Sequence, residues 1–143
     1  MDPTIRDARA ADTRAIAALL TQLGYPSDAD AVEERLDRLW VVGDRVIVAE
    51  VEGDVVGVVH LQVTPALERE RPAGKIGALV VEEGHRGQGI GRALFAAVEQ
   101  EARLRGCELV YLTTAEQRDD AHAFYERLGL EYVGRRYSRT LSE

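Results

Sequence analysis

The stretch "HRGQGIGRAL", residues 85–94, sets Gly87, Gly89 and Gly91 at alternate positions between Arg86 and Arg92. An amphipathic helical pattern follows at once, so a poor helix former stands where a helix must begin. Helix N-termini present backbone N–H groups that lack intrahelical partners, and their dipole favours anions. Glycine lets a phosphate oxygen reach those amides without meeting a Cβ, and Arg86 and Arg92 add positive charge beside them. The chemistry implied is the binding of a phosphate or pyrophosphate.

Two common phosphate loops do not fit. A P-loop requires G-x-x-x-x-G-K-[ST]. Gly84 and Gly89 have its first spacing, but Ile90 and Gly91 stand at the Lys and Ser/Thr positions, so the groups needed for Mg²⁺–nucleotide chemistry are missing. A dinucleotide loop requires G-x-G-x-x-G; Gly87 and Gly89 match, and Arg92 occupies the third glycine. No metal is expected either. His60, His85 and His122 are far apart, and the single cysteine, Cys107, cannot build a zinc site.

Such a loop needs a strand before it and a helix after it. "KIGALVV", residues 75–81, is a near-continuous apolar run, as in a buried central strand. The helix after the loop turns Ile90, Leu94, Ala97, Val98 and Leu104 toward a core and closes at Gly106. Upstream, Ile16, Leu19, Leu20 and Leu23 recur at helical spacing between a cap at Asp12 and a stop at Gly24. Pro26 and Ser27 open a second helix, with Val32, Leu36 and Leu39 or Trp40 inward. Its other face is acidic, with Asp28, Asp30, Glu33, Glu34 and Asp37. "DRVIVAEVEGDVVGVVHLQV" reads as a β-hairpin turning at Glu52–Asp54. In the charged loop that follows, Glu68–Arg71 read better as solvated than as a substrate cluster. "CELVYLTT" reads as a buried strand with Cys107 as a small apolar residue, "DDAHAFYERLG" as a short helix stopped at Gly129, and "LEYVGRRYSRTL" as a last strand or hairpin. The expected fold is α/β (α+β), one domain over residues 1–143. A central mixed, mostly antiparallel sheet is flanked by about four helices, in the order β-α-α-β-β-β-α-β-α-β.

The 143 residues are 45% hydrophobic and 30% charged, as in a soluble globular domain. No window approaches the ~18 apolar residues of a membrane span. The net charge of −7 argues against a general nucleic-acid binder, which needs a basic face. It suits a cationic substrate, though solubility alone explains it. The polar N-terminal stretch "MDPTIRDARAADTR" does not read as a signal peptide, and one cysteine allows no internal disulfide; the expected compartment is a reducing cytoplasm.

"RGQGIG", beginning at Arg86 after the strand "ALVV", satisfies [QR]-x-x-G-x-[GA]. "DAHAFYERLGL", residues 120–130, satisfies A-x-x-F-Y-x-x-x-G-[FL]. With both in this order the sequence resembles the GNAT superfamily of acyl-CoA N-acyltransferases. The likeness runs from about Lys75 to the C-terminus and is one of element order before that. "RDDAHAFY", residues 118–125, resembles the branch that includes aminoalkylphosphonate N-acetyltransferases and related small acetyltransferases.

The resemblance implies acetyl-CoA as cosubstrate. Its pyrophosphate would lie on Arg86, Gly87, Gln88, Gly89, Ile90, Gly91 and Arg92, and its pantetheine arm would pair with the backbone of Leu79, Val80 and Val81 like an added strand. Tyr125 would protonate the departing thiolate, a role typically worth ~10²–10⁴-fold; by helix position alone it would read as a core tyrosine. Many relatives carry Asn where this chain has Arg118, so that contact to CoA is not carried over. His122 is either a surface or a cofactor-facing residue. Many relatives also place a glutamate on the strand before the loop, and Gly77 and Ala78 offer none. His60 and Glu50 are the substitutes, set against a chain of waters, and no single side chain is expected to dominate deprotonation. The implied activity is transfer of an acetyl group to a primary amine of a small molecule by direct attack in a ternary complex, since no Cys or Ser stands out as an acyl carrier. The alternatives are acetylation of a protein N-terminus or lysine, and a CoA-binding module without turnover. No nucleic acid or membrane partner is expected, and a homodimer is the candidate assembly.

Overall fold

The hairpin expected around residues 44–64 forms the middle of a five-stranded sheet. In a computed structural model, which describes residues 2–113, 119–134 and 137–141, the strands are β1 (Thr4–Asp7), β2 (Arg45–Val51), β3 (Asp54–Thr64), β4 (Ala73–Val81) and β5 (Leu109–Tyr111). They lie side by side in sequence order, antiparallel from β1 to β4, with β5 parallel to β4. The hairpin turn is two residues long: Glu52 and Gly53 have φ of 51° and 87°, the left-handed pair whose twist suits flanking strands. Asp54, expected in the turn, opens β3.

Successive strand residues face opposite sides of the sheet. On one side Val46, Val48, Val58 and Val80 pack with Ile16, Ala17 and Leu19 of α1 (Thr13–Leu23) and Val32 and Leu36 of α2 (Ala29–Val41). On the other side Gly57 lies against Ile90 and Leu94 of α3 (Ile90–Leu104), and Leu61, Leu94 and Val98 are fully buried. α4 spans Asp119–Arg127. The architecture is α/β, a mixed, mostly antiparallel sheet with four α-helices among the described residues. The chain divides into two compact units: Met1–Leu112, with the sheet and α1–α3, and Thr113–Glu143, with α4. Among the described residues no helix is long and apolar enough to cross a membrane.

Several local expectations are corrected. Asp12 does hold the N-cap position of α1, but its carboxylate accepts from the Arg9 amide and from Arg6 instead of from the helix's first turn. The cap of α2 is Asp28, not Ser27, with the Ala31 amide donating to its carboxylate at 2.8 Å. Ser27 instead donates to the Tyr25 carbonyl. Leu39 packs against the core, and Trp40 is 39% exposed. Leu104 is 75% exposed because it lies about 200° around α3 from inward-facing Ala102. Phe95 and Ala102 are the buried residues that the periodicity did not include. β5 is only three residues long and half-exposed, and among the described residues it is the outermost strand rather than a buried one. Cys107 precedes it, and burial pushes its thiol pKa up. The described part of residues 130–141 forms no strand, so the last β element of the expected order is not made by described residues.

Candidate active site

β4 carries one residue more than β3 at its centre: His60 stands opposite Gly77 and Val58 opposite Val80. Ala78 takes up the extra residue with a φ of 50°, a left-handed conformation unusual for a residue with a Cβ, and the strand bulges there. β5 pairs with β4 only at Ala73, Gly74 and Lys75. Beyond Lys75 the outer edge of β4 has no strand partner among the described residues. The Glu82 amide donates to the Val56 carbonyl at 2.7 Å, which makes these two the hydrogen-bonded pair and turns the N–H and C=O of Val81 to the outer edge. That carbonyl is engaged: Gln22 of α1 donates to it through Nε2 at 2.9 Å and accepts from the Glu83 amide through Oε1 at 3.1 Å. Of the backbone expected to pair with a pantetheine arm, the Val81 carbonyl is thus held by α1, and its N–H is directed outward. Leu79 is half-buried, and the Val80 side chain belongs to the core beneath α1 and α2.

After β4 the chain makes a 3₁₀ turn over Glu83–His85, where Glu82 and His85 side chains meet at 2.7 Å, and then runs through Arg86 into α3. Gly87 and Gly89 have φ of 80° and 82°, and a Cβ added at either would meet nothing within 4 Å. The glycines are therefore required by conformation, and the space over them is open. Gly89 is the N-cap of α3, with no side chain accepting from the first turn, and its carbonyl takes the first helical bond, from Ala93. The N–H groups of Ile90, Gly91 and Arg92 consequently have no helical partner. Arg86, Gln88 and Arg92 are exposed around them. Ile90 offers only its amide, because its side chain is buried. This arrangement fits a pyrophosphate: open space, unpartnered amides, a positive helix end and two guanidinium groups.

The two substitutes for a base have different surroundings. Glu50 accepts from Arg6 Nε at 3.1 Å and Nη2 at 2.9 Å, and the same guanidinium holds buried Asp12. The hydrogen bond to Asp12, then that to Glu50, raises the Arg6 pKa above its usual value. His60 meets buried Asp44 instead, at 2.8 Å. Neither Asp44 nor Gln22 was legible as a site residue: each partner is remote in sequence, and Asp44 reads only as a turn residue before β2.

In the second unit, Tyr125 is half-buried on α4, with its ring 5.8 Å from that of Phe124. The Leu128 and Leu130 amides donate to its carbonyl at 3.1 Å each. His122 is half-buried, 6.2 Å from the Tyr132 ring. Arg118 lies outside the described residues. In the first unit, the loop containing Glu68–Arg71 is tied to Glu108, which accepts from the Arg71 amide at 3.0 Å.

Known proteins resemble this chain in sequence and in fold. The chain is 42% identical over 89 residues to an aminoalkylphosphonate N-acetyltransferase of Salmonella typhimurium, a match covering 62% of this chain and 58% of that relative. It is 31% identical over 137 residues to an aminoglycoside N(6')-acetyltransferase type 1 of Stenotrophomonas maltophilia, covering 93% of this chain and 89% of that one. A solved Trypanosoma brucei acetyltransferase superposes with a TM-score of 0.84 at 27% identity, over 98% of this chain and 100% of its own. The sequence model of the acetyltransferase (GNAT) family matches residues 12–130, which run from α1 through β4, the glycine loop and α3 to the end of the α4 segment; the chain belongs to that family.

Proposed function

We propose that residues 1–143 work as one N-acetyltransferase domain that moves an acetyl group from acetyl-CoA to a primary amine of a small molecule, by direct attack in a ternary complex. The observation that carries this reading is the strand edge that runs into the glycine loop. β4 bulges at Ala78, has no outer strand partner beyond Lys75 among the described residues, and leads to left-handed Gly87 and Gly89 at a helix N-terminus without a side-chain cap. The amides of residues 87–92 would bind the pyrophosphate with Arg86 and Arg92, and the outer backbone of Leu79–Val81 would align the pantetheine arm. Acetyl-CoA, when bound, supplies the activated acyl thioester. Tyr125 protonates the leaving sulfur. The small-molecule acceptor is supported by the names of the relatives, which act on aminoalkylphosphonates and aminoglycosides.

Acetyl-CoA consumption, followed with mass spectrometry of the products, tests this over aminoalkylphosphonates, aminoglycosides, polyamines and peptides with free N-termini or lysines. An acetylated small amine is the expected result. Acetylation confined to peptides would overturn the small-molecule reading. Acetyl-CoA binding with no acetylated product would overturn the enzymatic one.

A further inference from the structure

Against the sequence-based expectation that no single side chain dominates deprotonation, we propose that His60, oriented by Asp44, is the general base that deprotonates the substrate amine; this rests on the acetyltransferase reading above. Asp44 stands between α2 and β2, its amide bonded to the Leu39 carbonyl at 3.0 Å and its side chain 5% exposed. Its Oδ2 lies 2.8 Å from His60 Nε2. A carboxylate only accepts, so Nε2 carries the hydrogen and Nδ1 keeps its lone pair. Nδ1 is turned across the sheet toward β4, 3.4 Å from where a Cβ on Gly77 would stand. The imidazole thus occupies space that the missing side chain at Gly77 leaves. Its side chain is 24% exposed, so a substrate can reach it.

The position along β4 is the second argument. Gly77 immediately precedes the Ala78 bulge, in the segment of β4 that β5 no longer covers. The glycine loop opens at the far end of the same segment. The neighbours leave His60 as the basic group here. β2 presents apolar Val46 opposite it, and Lys75, two residues from Gly77 on β4, stands opposite Gln62 rather than His60. Glu50 stands about 13 Å further along β2, held by Arg6. Buried Asp44 fixes the tautomer and stabilises the imidazolium as it forms, the orienting role that a carboxylate plays beside a catalytic histidine.

The step balances as follows. His60 Nδ1 takes one proton from the substrate ammonium and passes it to solvent. The nitrogen pair so released forms the C–N bond to the acetyl carbon, and the C–S bond breaks with its electrons on sulfur. The sulfur takes a proton from the acid assigned above, which solvent restores, and the nitrogen sheds its second proton to solvent.

His60→Gln, His60→Ala and Asp44→Asn test the assignment. Both His60 variants should lose about 10²–10³-fold in kcat/KM for the amine while keeping thermal stabilisation by acetyl-CoA. Added imidazole should restore part of the His60→Ala rate, more so for substituted imidazoles of higher basicity. In the chain without ligand, ¹⁵N NMR should show neutral His60 protonated at Nε2, and Asp44→Asn should mix the tautomers. A His60→Gln rate within about threefold of wild type overturns the proposal while wild-type turnover leaves the acetyltransferase reading standing. A His60→Ala rate that imidazole does not raise overturns it too, as does an Nδ1–H tautomer. A wild-type chain that acetylates no amine overturns the underlying reading and the base with it.

Discussion

Gln22 on α1 and Val81 at the end of β4 are joined by a 2.9 Å hydrogen bond, and the same glutamine amide accepts from Glu83 at 3.1 Å. One exposed side chain therefore spans the junction where the strand edge becomes the phosphate loop. An exposed hydrogen bond contributes about 1 kcal/mol at most, so removal should act on the loop's shape more than on the fold. Gln22→Ala is expected to weaken acetyl-CoA binding roughly three- to tenfold by calorimetry and to change global stability little. Gln22→Glu keeps the acceptor for Glu83 but sets a carboxylate against the Val81 carbonyl, so it should weaken binding at least as much. Wild-type affinity in both variants would show that the bridge does not shape the loop.

The loop itself gives a sharper test. Acetyl-CoA at a hundred times its Kd should stabilise the native chain by about 2.7 kcal/mol. Valine at Gly87 and Gly89 forces a β-branched residue into left-handed backbone, about 1–2 kcal/mol each, and fills the space over the amides. The double variant should lose the ligand-dependent gain. Full thermal protection by acetyl-CoA in that variant would refute the pyrophosphate assignment.

What the sequence makes legible depends on how local the cause is. The alternate glycines signal a left-handed loop because φ is a property of single residues, and Gly87 and Gly89 adopt it. α1 is legible because Ile16 and Leu19 repeat at the helical period. Leu104 is misread for the same reason: a period counted by eye drifts off the inward face within a turn. The contacts that give the site its candidate chemistry are not local. Asp44 meets His60 only because α2 ends where it does and β2 pairs with β3 in the observed register. Gln22 reaches Val81 across 59 positions of chain. The bulge at Ala78 requires counting residues on two strands against each other, which one strand's apolar run cannot reveal.

Acid stability should report the ion pairs that hold the edge of the sheet. The hydrogen bond from Arg6 keeps the Asp12 carboxyl below its usual 3.8, and Arg105, then Arg45, keep Glu101 below its usual 4.5. Both folded values lie below the unfolded ones, so these groups contribute fully above about pH 4.5, and the contribution is lost as pH falls through the folded values. Asp12→Asn breaks a pair whose side chains are 16% and 8% exposed, so about 3 kcal/mol should be lost at neutral pH. Urea unfolding across pH should show that loss together with a shallower decline below pH 4. An unchanged decline would mean that other carboxylates govern acid unfolding.

Tyr125→Phe isolates one oxygen. The ring stays beside Phe124 and the carbonyl still receives the Leu128 and Leu130 amides, so α4 should persist. If the phenol protonates the departing sulfur, the loss is confined to the step in which the thiolate leaves. It should then appear in kcat, by about 10²–10³-fold, with the acetyl-CoA affinity unchanged. The identity of the leaving group separates this from a packing role. An acetyl thioester of a more acidic thiol departs without help, so with such a donor the variant should approach the wild-type rate. A merely structural tyrosine would slow both donors equally. Equal losses with the two thioesters, or an unchanged kcat when chemistry limits turnover, would remove Tyr125 from the mechanism.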